Sequence, residues 1–145
     1  AATYSYNLVD HEDGIDDNQG GSAAAITAYA VSSEFDLDDG HKYMFVSRVI
    51  PDISFDGSTA DNPVATLTLS PLANPGAGYT SPTSTGGVNN ATVTRTATSP
   101  VEVFTEQLDI RVRGRQLSMR IESDATGVAW QLGSPRLDMR PDGRR

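Results

Sequence analysis

Apolar and polar residues alternate one by one along much of this chain. In PVATLTLSPL, Ala65, Leu67 and Leu69 alternate with Thr66 and Thr68, the period of a strand with one buried face. The last third repeats the pattern. Leu108, Ile110 and Val112 point one way, with Asp109, Arg111 and Arg113 opposite; Leu117, Met119 and Ile121 then form a buried set, leaving Ser118, Arg120 and Glu122 outside. KYMFVSRVI, rich in β-branched and aromatic residues, predicts a central strand over 43–50, which Pro51 ends or forces to bulge. Residues 23–37 open with alanines that would suit a helix. Ile26, Thr27, Tyr29, Val31 and Phe35 outweigh them and predict a strand, with Asp38-Asp39-Gly40 as the turn that follows.

Further strands are expected over 91–98 and 101–113. RGRQ at 113–116 reads as a tight turn, so that 116–124 returns antiparallel to form a hairpin, and after a turn at 124–127 a last strand covers 128–140. Residues 55–63 form a loop, and 73–90 are a low-complexity stretch of Pro, Gly, Ser and Thr in which Tyr79 is the only large side chain. The first 22 residues lack an apolar period and read as an acidic arm or loop. These elements predict an all-β, antiparallel, jelly-roll-like sandwich of roughly seven or eight strands with long loops. Strands 43–50, 103–112, 116–123 and 128–132 are expected near its centre, flanked by the extended arm at 1–22, with the domain over 23–140 and a basic tail at 141–145.

Length changes this picture little: 145 residues suit one domain. There is no cysteine, so disulfides and thiolate metal sites are excluded. No apolar run is long enough for a membrane span, and no signal sequence opens the chain; its first residue, Ala1, points to a processed chain or a segment of a longer one. Charge matters more. Residues 1–62 hold twelve acids against Lys42 and Arg48, a net of −10, whereas residues 63–145 hold seven acids against nine arginines, a net of +2. Arginine suits packed polar contacts with carboxylates. An acidic half and an arginine-rich half can therefore pair within one subunit or between copies.

Candidate chemistry is sparse. The stretch DHEDGIDD invites calcium but misses the register of a helix-loop-helix site, which leaves only a looser site built with carbonyl oxygens. A zinc site would have to bring His11 and His41 together with a carboxylate. No serine sits in a nucleophile elbow, and carboxylates in DDG and PDG are accounted for by turns. Gly76-Ala77-Gly78 lacks the strand–helix setting of a phosphate loop, and Asn90-Ala91-Thr92 matches a glycosylation acceptor of low specificity. Trp130 alternates with Val128 and Leu132, which favours core packing over sugar stacking. No enzyme, cofactor or metal is expected. The arginines of RVRGRQLSMRIES, namely Arg111, Arg113, Arg115 and Arg120, divide between a turn and one wet face, with Asp109 and Glu122 as cross-strand partners.

The closing run GRQLSMRIESDATGVAWQLGSPRLDMRPDGRR resembles the C-terminal end of tail nozzle, or tail tubular, proteins of short-tailed bacteriophages. The matching residues are Gly114, Arg115, Gln116, Glu122, Ser123, Trp130, Leu132, Gly133, Arg136, Asp138 and the terminal Arg140, Pro141, Asp142, Gly143, Arg144 and Arg145. FVSRVIPDISFDGS and VATLTLSP have a similar flavour. The family's members are longer, so the resemblance implies either a C-terminal domain or a smaller virion protein sharing the module. It also implies a non-enzymatic virion part in a homo-oligomeric ring at the tail, lining the genome's exit path. The expected partners are copies of itself and other virion proteins (tail adaptor, fibre or capsid), with DNA passing through without specific binding. Arg111, Arg113, Arg115, Arg120, Arg140, Arg144 and Arg145 are the expected interface, the terminal three docking on an acidic neighbour. Two other readings are a capsid decoration protein and a glycan-binding module on a tail or cell surface.

Overall fold

The computed structural model describes residues 14–18, 21–72 and 96–143. In chain order the strands are β1 (Asp16–Asp17), β2 (Ala24–Ala25), β3 (Ala28–Val31), β4 (Phe35–Asp36), β5 (Met44–Ile50), β6 (Ile53–Ser54), β7 (Val64–Leu72), β8 (Ala97–Glu102), β9 (Leu108–Gly114), β10 (Gln116–Ser123), β11 (Gln131–Leu132) and β12 (Arg136–Pro141). No α-helix occurs among the described residues, only a 3-10 turn at Asp38–Gly40. The larger sheet runs β3-β10-β7-β8, with β4 also beside β10; the smaller runs β12-β5-β9, and β1-β2 and β6-β11 are short ribbons. All pairings are antiparallel.

The pairings are nested. Ala65 lies opposite Val101 in β7-β8, Val46 opposite Val112 in β5-β9, and Ala30 opposite Ile121 in β3-β10. The chain thus pairs like one long hairpin folded across itself, β10 closing the larger sheet by also pairing with β7. Both main sheets give inward residues to one core: Leu67, Leu69, Leu117 and Ile121 from the larger, Met44, Val46, Val49 and Val112 from the smaller. Each such side chain contributes roughly 1.5–3 kcal/mol by leaving water. Phe55 and Val128 close the core from the connections, and Trp130 packs half-buried against it, donating its indole N–H to Ser123 Oγ at 3.0 Å.

The expected alternation in β7, β9 and the apolar set of β10 is present. The expected hairpin at 113–116 is not. β9 pairs with β5, and β10 pairs with β7, β3 and β4. Arg115 alone separates the two strands, too short a link for the usual two-residue hairpin turn. Instead the chain crosses from one sheet to the other, and Arg115 N–H donates to Leu72 O at 2.9 Å. Alternating apolar residues point inward in both arrangements, so the period alone does not choose between them.

Other boundaries also differ. The expected strand 101–113 is split into β8 and β9, which lie in different sheets. Segment 23–37 breaks into β2, β3 and β4, and 128–140 into β11 and β12. β7 takes the central place given to 103–112, since β9 lies at an edge, and 128–132 contributes only the two-residue β11. Ser118, expected outside, is buried; its hydroxyl donates to Ser32 O, while Ser32 Oγ accepts from Met119 N–H, so the chain after β3 covers that part of the sheet. Against β12 the register of β5 skips Ser47, and against β9 it shifts at the same place, Ser47 there facing the two residues Ile110 and Arg111. Strict alternation from Met44 and Val46 would turn Arg48 into the core, at a heavy desolvation cost. The bulge leaves Ser47 and Arg48 both exposed and returns Val49 inward.

Candidate assembly surface

The smaller sheet has one face in the core and one in solvent. Alternation on β9 sends Asp109, Arg111 and Arg113 outward, and β12 exposes Arg136, Asp138 and Arg140. Between them lie Phe45 and, through the bulge, Ser47 and Arg48. Cross-strand register places Phe45 opposite both Arg113 and Arg140, and Arg48 opposite both Asp109 and Asp138. With Asp142 just beyond β12, this face carries five arginines and three aspartates. Arg48 Nη2 meets Asp138 Oδ2 at 3.2 Å, and Arg113 is held by Asp142. Arg111, Arg136 and Arg140 form no ion pair among the described residues. The Arg140 guanidinium lies 4.9 Å from the Phe45 ring centre. Phe45, Ser47, Arg111 and Arg140 line an open groove of about 610 Å³ with Asp109 on its wall.

At one end of this face the closing run folds onto Tyr43. Arg113 stacks over the Tyr43 ring at 4.1 Å and Arg115 at 5.0 Å. Tyr43 N–H donates to Gly143 O at 2.8 Å, Asp142 N–H donates to Tyr43 O at 2.7 Å, and Arg113 Nη2 donates to Asp142 O at 3.1 Å. Arg140 and Pro141 are paired in β12 with Phe45 and Met44. Removing 140–145 would therefore strip a strand end as well as any docking contact.

The seven singled-out arginines do not form one patch. Arg111, Arg113 and Arg140 share the smaller sheet's open face, and Arg115 sits at the crossing between sheets with its Nη1 3.5 Å from Gly40 O. Arg120 lies on the other sheet, over the Tyr29 ring at 4.4 Å, with Nε donating to Glu122 Oε2 at 2.8 Å. Glu122 is thus its same-strand partner, two residues on, in place of a partner across a hairpin. Arg144 and Arg145 lie outside the described residues, as do His11, the 73–90 stretch with Tyr79, the Asn90 triplet and most of the acidic arm.

Of that arm's described part, Asp16 belongs to β1 and accepts Gly127 N–H through both carboxylate oxygens at 2.8 and 2.9 Å. His41 is exposed beside the 3-10 turn, where Lys42 pairs with Asp38 at 2.8 Å. Among the described residues no three His, Cys, Asp or Glu side chains gather as metal ligands, and no helix is long and apolar enough to cross a membrane.

Three features escaped sequence reading. Arg48 and Arg136 join the arginine face only through the bulge and the pairing of β12 with β5, Tyr43 organises the closing run, and Phe104 stands 92% exposed. Compared with known proteins, the chain matches no family model and no curated protein.

Proposed function

We propose that this chain is a non-enzymatic structural subunit of a bacteriophage virion, assembling with copies of itself into a ring in the tail, as tail nozzle proteins do. One observation carries the reading: a chain of net charge −8 gathers five arginines against three aspartates on one open sheet face. Carboxylates interleaved at this density suit an acidic protein neighbour better than a continuous phosphate track. Rings use two different complementary surfaces, and the uneven charge supplies opposite signs. The resemblance of the closing run adds support, because its residues meet in space: Arg115 reaches the Tyr43 corner that holds Asp142 and Gly143. Partners are then copies of itself and adjoining virion proteins, with DNA passing without specific binding.

The sandwich is, in this reading, a jelly roll. Its support is the nested pairing of β7-β8 within β5-β9 within β3-β10, with β10 between β3 and β7. Capsid and lectin domains share that architecture. The test is native mass measurement at low and high salt, with negative-stain images. A closed ring that loosens as salt screens its contacts is expected. A monomer at every salt overturns the ring. If that monomer binds intact capsids, the chain is a decoration protein; if it is retained on polysaccharide, a glycan-binding module.

A further inference from the structure

The connection between β8 and β9 carries the most anomalous side chain of the described residues. Phe104 is 92% exposed and Val103 beside it 55%. A large apolar side chain left in water gains nothing for the isolated fold. Nor is it displayed on slack chain. Thr105 N–H donates to Glu102 O at 3.0 Å, and Glu102 N–H donates to Thr105 Oγ1 at 2.9 Å, closing a turn with Val103 and Phe104 at its corner. Carboxylates surround this corner: Glu102 within the turn, Glu106 just after it, and Asp61 beside Phe104 across a small cleft. The turn is a preorganised aromatic knob with an acidic collar.

The groove on the smaller sheet is its chemical complement. Its floor includes the half-buried Phe45 ring, and Arg111 and Arg140, neither in an ion pair among the described residues, stand at its sides. Aromatic rings favour offset or edge-to-face contact, and arginines beside such a contact pair with incoming carboxylates. We propose that the Glu102–Glu106 turn of one copy docks in the groove of a second copy, Phe104 against Phe45, with Glu102 and Glu106 meeting Arg111 and Arg140. The proposal rests on the assembly reading above and names its contact. Knob and groove are different surfaces, so each copy can give its turn to one neighbour and receive another's, the head-to-tail pattern that closes into a ring.

The experiment measures native mass across a concentration series for the full chain, for Phe104→Ala, for the reversal Glu102→Arg with Glu106→Arg, and for Arg111→Glu with Arg140→Glu. Phe104 makes little intramolecular contact, so Phe104→Ala keeps the wild-type urea midpoint. It weakens association by at least about tenfold, as loss of an interface anchor does. Each charge reversal alone also weakens association, and mixing the two reversed proteins restores it. Variants that assemble like wild type overturn this contact and leave the ring reading standing. A wild-type dimer that the variants dissolve supports the contact and overturns the ring. A wild-type monomer at every concentration overturns both.

Discussion

At Gly114 the chain passes between sheets where a side chain has no room. A Cβ there would lie 2.8 Å from both Pro71 Cβ and Gln116 O. Gly114→Ala is expected to destabilise the fold by about 1–3 kcal/mol, seen as a lower urea midpoint. Gly133 is constrained similarly: its N–H donates to Asp52 O at 2.8 Å, and a Cβ would overlap the Asp52 carboxylate. Two glycines of the closing run thus have packing reasons of their own. The Arg113–Asp142 pair is another matter. Both side chains are 43% exposed, so Asp142→Asn is expected to cost no more than about 1 kcal/mol. Chemical denaturation should show the difference shrinking as salt rises toward about 1 M. These partners were not readable beforehand, because Tyr43 and Asp142 lie far apart in sequence and meet only through the pairing of β5 with β12.

Strand alternation was readable; strand partnership was not. β5 shows why the two differ. Its buried residues fall at 44, 46 and 49, a skip that the bulge at Ser47 against β12 accommodates. Deleting Ser47 would restore strict alternation and continuous register with β12, with Arg48 still outward and Val49 still inward, while widening the register shift against β9 by one residue. Deleting Thr66 from the regular β7 would turn the residues on one side of the deletion to the opposite face. The Ser47 deletion is therefore expected to retain a cooperative unfolding transition with a modestly lower midpoint, and the Thr66 deletion to lose folded protein, as circular dichroism would show. Phe104 left a fainter trace. In VEVFTEQ it shares the parity of Glu102 and Glu106 and not that of Val101, an aromatic residue on the wet side of the alternation.

For the whole molecule, the question is how charge is laid out in space. The acid-rich first half and arginine-rich second half do not segregate into two bodies, because β5 from the first half lies between β9 and β12 from the second. Arg48 consequently joins the later arginines. If this face makes the assembly contact, raising salt from about 0.05 to 0.5 M should shift native mass toward the monomer while leaving the unfolding midpoint nearly unchanged. Truncation tests the tail's structural part: removing 140–145 takes away the end of β12 and both backbone bonds to Tyr43. Differential scanning calorimetry should register a lower melting temperature for this truncation.

The sequence by itself determined that the fold is all β, which apolar residues of β7, β9 and β10 face inward, and that positive charge gathers late in the chain. Those properties are local, since the two-residue period and side-chain type are written in neighbouring positions. Only the tertiary structure decided that β9 and β10 belong to opposite sheets, that β5 bulges to keep Arg48 out of the core, and which arginines share a face. Each depends on the choice of hydrogen-bonding neighbour for a strand. Alternation is compatible with several such neighbours; core packing and the avoidance of a buried unpaired charge select among them.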